Sequence, residues 1–166
     1  MTDTTDVDAL AADLDAARRT GRFYVPCSAA RELTVDQAYA VQRAFNDLRR
    51  SDDAVAGFDA VAGFKAAVNA PALQQALGLD APIVGALFTR GARDPGSRVR
   101  REAFRTLAIE TELGFRTAER IAAPIEGVVA LRGVIATIAP MLELADPGFG
   151  RVRFRGTDLI AANAAC

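Results

Sequence analysis

Two kinds of spacing alternate along the 166 residues. Val7–Arg22 repeats apolar residues at helical intervals and runs out in Arg-Arg-Thr-Gly, a C-terminal signal. Thr34–Arg50 is the clearest amphipathic helix. Ala38, Val41, Ala44, Phe45 and Leu48 line one face behind a Thr34 cap, with Asp36 and Gln37 close by. Pro71–Leu77 is a short helix, with proline at its start and Gly78 past its end. Between these, Phe23–Arg31 reads as an extended link through Pro26, and Ala54–Val68 as one or two strands holding Lys65. Leu79–Thr89 is a loop entering a strand, and Arg90–Arg101 a polar connection with five arginines. Then comes Leu107–Arg116 (LAIETELGFR), a strand, followed by a loop over Thr117–Glu126 with Pro124. Val128–Ile138 fits either period, and its first half reads as helix; Leu142–Asp146 reads as a second strand. Arg151–Cys166 opens on alternating arginine and apolar residues, hence a strand, and ends in small residues. The pattern predicts an α+β chain, helical over 1–55 and β-rich over 56–166, with no internal repeat.

The chemistry enters through charges lodged in apolar runs. In LAIETELGFR, Glu110 and Glu112 stand two apart, so a strand projects both from one face. Two carboxylates side by side repel, and burying them unpaired is costly. A third, Glu143, sits in the later run VIATIAPMLELAD between Leu142 and Leu144. Three glutamates from two apolar strands suit a Mg²⁺ or Mn²⁺ site, because hard cations take carboxylate oxygens. A solvated strand face would explain them too.

Composition narrows the classes. A net charge of −1 and pI near 5.5 argue against a nucleic-acid or membrane-surface partner. No apolar run is long enough for a membrane span, and the acidic N-terminus is unlike a signal peptide, so a cytoplasmic location is expected. Cys27 and Cys166 do not make a disulfide framework. The absence of histidine excludes imidazole bases and histidine metal ligands. Lys65 is the only lysine against nineteen arginines. Lysine can be tuned towards neutrality and exchange protons, which arginine cannot, so Lys65 is either a proton carrier or a chance survivor. Arg151, Arg153 and Arg155 would share a strand face, as a carboxylate-binding row or, more simply, a solvated surface.

The order of these motifs resembles the 2-hydroxypenta-2,4-dienoate hydratase and 4-oxalocrotonate decarboxylase family of the fumarylacetoacetate hydrolase superfamily. LTVDQAYAVQRAF looks like the family's N-terminal helix, and GFKAAVNAPALQQALGLDAPIVGALF its G-x-K-x-G-L-T, Q-Q-x-L-G and P-D-F-G-x-L segments. IETELGF resembles I-E-x-E-I-A-F, APMLELAD resembles P-A-L-E-I-V-D, and DLIAANAAC resembles D-x-x-A-D-N-A-S-C. The resemblance implies a helical N-terminal region followed by a mixed β-barrel of that type, incomplete here. It implies that Glu110, Glu112 and Glu143 bind Mg²⁺ or Mn²⁺, and that Lys65 is the acid/base. Asn163, Ile83 and Ala165 fall at substrate-side positions. The implied substrate is a small 2-oxo or 2-hydroxydienoate acid, chelated through its carboxylate and 2-oxygen, with enolate charge held by the cation.

There are departures. The aspartate of the P-D-F-G turn is Ile83, the G-L-T is Ala67-Val68-Asn69, and Ala162 and Ala165 replace an aspartate and a serine. Family members also continue past the Asn163 segment with strands that close the barrel. Open strand edges invite aggregation unless covered, so a homo-oligomer or a partner chain is expected. The chain is then a lyase of this family, an enzyme of altered enolate chemistry, or a non-catalytic subunit or fragment.

Overall fold

The computed structural model describes residues 4–52 and 60–165. The expected boundary at 55/56, the first part of the Ala54–Val68 segment, and Cys166 lie outside the described residues. The elements run α1 (Thr4–Arg19), α2 (Val35–Asp52), β1 (Val61–Ala67), α3 (Pro71–Leu77), β2 (Ile83–Phe88), β3 (Ala108–Thr117), α4 (Gly127–Val134), β4 (Ile135–Ala145) and α5 (Gly156–Ala161). Local chemistry explains the helix ends. The Gln37 amide N–H donates to Thr34 Oγ1 (3.2 Å) while the Thr34 N–H donates to Gln37 Oε1 (2.9 Å), a closed capping box that starts α2. Pro71 opens α3, and Gly78, at φ 69°, ends it in the left-handed conformation that glycine adopts without steric cost.

The chain packs as two compact units. The first contains the described residues up to Leu107 together with those from Asp146 onward; the second is Ala108–Ala145. In the first unit α1 packs on α2 and α2 on α5, around Leu14, Val41, Phe45, Ile83, Phe149 and Ile160, each at most 2% exposed. Side chains of this size contribute about 1.5–3 kcal/mol each when buried. β1 and β2 pair antiparallel, with Lys65 opposite Gly85. In the second unit β3 and β4 pair antiparallel over ten register pairs, and α4 leads directly into β4.

Two expectations need correction. The described strands form two separate antiparallel pairs, β1–β2 and β3–β4: no barrel is closed, in keeping with the expected incomplete one, but the pairing is wholly antiparallel where a mixed sheet was expected. A barrel requires a hydrogen-bonded circuit, and each pair here has free edges. The stretch Arg151–Arg155 is a turn and irregular chain instead of a strand. Gly148 and Gly150, both at positive φ, turn the chain, and Phe154 stacks on Phe149 at 4.8 Å, which folds the segment back on itself. The proposed row of arginines is therefore not formed; Arg155 pairs with Glu32 at 2.6 Å and precedes α5. No helix among the described residues is long and apolar enough to cross a membrane.

Cys27 is free and buried, and burial pushes its thiol up to about 12, with the Asp158 charge adding to the shift. The neutral thiol is thus the folded form, so its contribution to stability is present below about pH 9 and lost as pH rises towards 12. Iodoacetamide at pH 8 is expected to leave Cys27 unlabelled in the folded chain and to label it after denaturation. Peptide mass mapping checks this; labelling of native Cys27 at the rate of an exposed thiol would contradict it.

Candidate metal centre

Strand period and ladder register together make one acidic cluster in the second unit. Glu110 and Glu112 lie two apart on β3, and Glu143 of β4 is the direct cross-strand partner of Glu110. One carboxylate oxygen from each of the three lies within 4.8 Å of the others, with Glu110 exposed and Glu112 and Glu143 half-buried. Met141, the partner of Glu112, borders the cluster. Gly114 makes room for it, since a Cβ there would clash with Met141 Sδ. Sequence reading did not find this pair, because their proximity is a property of the register. The opposite face of the same ladder carries Ile109, Leu113, Phe115, Ile138 and Leu142, each 56–66% exposed. The glutamates are thus not buried among apolar residues; apart from Met141, the large apolar side chains of the ladder occupy the opposite face.

The donor set fits a hard divalent cation. Three anionic oxygens converge within coordination reach, and like charges about 4 Å apart repel by about 1 kcal/mol per pair even in water. A cation converts that repulsion into attraction.

The other predicted residues gather in the first unit. Lys65 is 7% exposed on β1. Its partner Gly85 abuts the backbone of Asn163, so that a Cβ at position 85 would lie 2.7 Å from the Asn163 carbonyl oxygen. Lys65 and the Asn163 backbone therefore share one face of the β1–β2 pair. The Asn163 side chain is fully buried. Its Oδ1 accepts from the Ala86 N–H (2.8 Å) and Asn46 Nδ2 (3.0 Å), and its Nδ2 donates to the Ala86 carbonyl (2.9 Å). Ile83 is 2% exposed, and the Ala165 carbonyl accepts the Asp146 N–H at 2.9 Å. Asp158, 1% exposed, accepts from the Ser28 N–H, the Ser28 hydroxyl and the Arg155 N–H, each at 2.7 Å, and so joins the Pro26–Ala30 turn to α5.

No family model matches the chain. It is 28% identical over 168 residues to a 2-keto-4-pentenoate hydratase of Burkholderia vietnamiensis, covering 99% of this chain and 61% of the relative. Its fold matches that of 4-oxalocrotonate decarboxylase from Pseudomonas putida G7 complexed with magnesium and adipate, with a TM-score of 0.86 at 21% identity. That match again covers 99% of this chain and 61% of the other. The same decarboxylase complexed with calcium and acetate gives 0.81. In sequence the chain is similar to this hydratase, and in fold to this decarboxylase. It spans 61% of the length of the relatives it matches. The two glutamate segments, IETELGF and APMLELAD, are β3 and β4, lying side by side, and the segment that holds Asn163 is α5 with the turn that follows. Ile83, Ala162 and Ala165, which the sequence comparison of motifs marked as departures, are packed into the core.

Proposed function

We propose that this chain is a metal-dependent lyase, a hydratase or decarboxylase that acts on a small 2-hydroxydienoate or 2-oxo acid by enolate chemistry. The observation that carries the reading is the convergence of Glu110, Glu112 and Glu143 carboxylates within 4.8 Å on one strand-ladder face. These three would hold Mg²⁺ or Mn²⁺. The bound cation would supply Lewis-acid stabilisation for negative charge developing on the substrate's 2-oxygen. Lys65 Nζ would carry the proton to and from the substrate carbon, from a strand position that is almost fully buried. Asn163 holds β2 and the C-terminal turn together through Ala86, and Ile83 and Ala165 contribute packing, so the reading draws its chemistry from the glutamates and Lys65.

Titrating the pure chain with Mn²⁺, followed by electron paramagnetic resonance, tests the reading, with oxalate standing in for the chelating end of the substrate. The expected result is saturable Mn²⁺ binding that tightens when oxalate is added. Absence of binding with and without oxalate would remove the proposal for this chain.

A second reading, a subunit that works only against another polypeptide or a second copy, is favoured by one observation. Ile109, Leu113, Phe115, Ile138 and Leu142 are exposed together on one face of a two-stranded ladder, an arrangement marginal in water by itself. Light scattering during size-exclusion chromatography distinguishes the two, since a monomer that binds Mn²⁺ and oxalate would set this second reading aside.

A further inference from the structure

The acidic cluster exists only in one register of β3 against β4. A slip of one residue would turn Glu143 to the face opposite Glu110 and Glu112, and a slip of two would carry it about 7 Å along the ladder. The connection between the strands, residues 118–134, is too long to impose a register as a two-residue turn does. At that far end the ladder passes a bulge at Arg116/Thr117, beyond which the Ala118 N–H bonds to the Val134 carbonyl (2.9 Å). At the near end side chains take over. Asp146, immediately after β4, accepts from the Thr106 N–H through Oδ1 (2.8 Å). Its Oδ2 accepts from the Arg105 N–H (3.1 Å) and from Arg105 Nη1 (3.1 Å). Its own N–H bonds to the Ala165 carbonyl (2.9 Å).

Arg105 is fastened in turn. Its Nε donates to the Arg22 carbonyl (2.6 Å), and its Nη2 to the carbonyls of Ala17 and Arg18 (3.3 and 3.2 Å) at the end of α1. The guanidinium lies over the Tyr24 ring at 4.6 Å. Both side chains of the pair are at most 15% exposed, so water screens it little. One carboxylate therefore takes three hydrogen bonds from the segment entering β3 while standing at the exit of β4. It fixes which residues face each other at the start of the ladder, where Ala108 meets Ala145, two register pairs before Glu110 meets Glu143.

We infer that Arg105 and Asp146 form a register latch that positions the glutamate cluster, acting on the metal site through the β3–β4 ladder without touching it. The inference rests on the proposed metal site for its functional meaning, while the latch itself can be judged from backbone pairing. The test compares the unmodified chain with Asp146→Ala, Asp146→Asn and Arg105→Met. Two readouts are used, Mn²⁺ affinity and the cross-strand backbone nuclear Overhauser effects joining Glu110 to Glu143 and Glu112 to Met141. Asp146→Ala should lose or shift those cross-strand signals and weaken Mn²⁺ binding at least tenfold, with helical circular dichroism kept. Asp146→Asn retains an acceptor for Thr106 and should recover native pairing and most of the affinity. Arg105→Met, which leaves both backbone bonds to Asp146, should lie between the two. Native cross-strand signals and unchanged Mn²⁺ affinity in Asp146→Ala would overturn the latch. If Asp146→Ala does not fold, Arg105→Met decides by the same two readouts. If the unmodified chain binds no Mn²⁺, the proposed function fails and the cross-strand signals alone decide the latch.

Discussion

Glu112→Gln is expected to lower Mn²⁺ affinity by about a hundredfold or more and, at the same time, to raise the melting temperature of the metal-free chain. The two effects have one cause. Three carboxylate oxygens within 4.8 Å are attractive to a cation and repulsive to one another. Changes to groups that merely orient metal ligands already cost about 10–100-fold in affinity, so loss of a direct anionic ligand costs at least the upper end of that range. Removing one of the mutually repelling charges relieves about 1 kcal/mol or less in a partly exposed setting, which moves the melting temperature of a chain this size up by about 1–4 °C. Glutamine is nearly isosteric and keeps an oxygen, so packing beside Met141 should change little. Isothermal titration with Mn²⁺ and calorimetric melting in the presence of a chelator measure the two halves. A solvated acidic face predicts a different pair of results, with the small rise in melting temperature and no Mn²⁺ binding in either protein. A loss of both binding and stability would mean that Glu112 is a structural residue.

How much of this was legible in the sequence depends on the range of the interactions. The helices were readable because their determinants are local. Thr34 and Gln37 cap one another across three residues, and Pro71 and Gly78 delimit α3 at the bounds the sequence predicts. The shared face of Glu110 and Glu112 followed from the two-residue period alone. Glu143 could be recognised as the same kind of residue, yet its place opposite Glu110 depends on a register across more than thirty residues, which no local pattern encodes. Lys65 stood out by composition, and the structure places it on the same face of β1–β2 as the Asn163 backbone through Gly85. The alternation Arg151-Val152-Arg153-Phe154-Arg155 was misleading because period two needs a partner strand to become a strand. Here a Phe149–Phe154 stack and two left-handed glycines win instead. The latch was hidden for the opposite reason. Arg105 and Asp146 look like ordinary loop charges, and only the ladder between them brings the two together.

Asn163→Ala is expected to destabilise the first unit by about 3–4 kcal/mol. The Asn163 amide is fully buried and pairs with both backbone groups of Ala86 in the middle of β2, as an added strand residue would. Truncation leaves a buried N–H and a buried carbonyl without these partners, each costing about 1–3 kcal/mol. It also opens a cavity beside Asn46. The backbone adds to this. Asn163, Ala164 and Ala165 have φ of 60°, 54° and 71°, a left-handed run that costs L-residues about 1–2 kcal/mol each and that asparagine tolerates better than alanine. The side-chain bonds to Ala86 are what offset that cost, and Gly85 is where the strand accepts the close approach, since any Cβ there would strike the Asn163 carbonyl. At about 2–4 °C per kcal/mol, the melting temperature should fall by about 10 °C. Asn163→Asp sharpens the test, because it keeps the shape and the acceptor for the Ala86 N–H but sets a second oxygen against the Ala86 carbonyl. Burial and that contact favour the protonated acid, raising its folded pKa above the ordinary carboxylate value. A raised carboxyl pKa means stability present at low pH and lost as pH rises through the folded value, so Asn163→Asp should be closer to the parent at pH 4 than at pH 7. Parallel urea titrations of the three proteins at the two pH values measure this. Equal losses for Asn163→Asp at both would show that the Ala86 carbonyl does not depend on the asparagine amide.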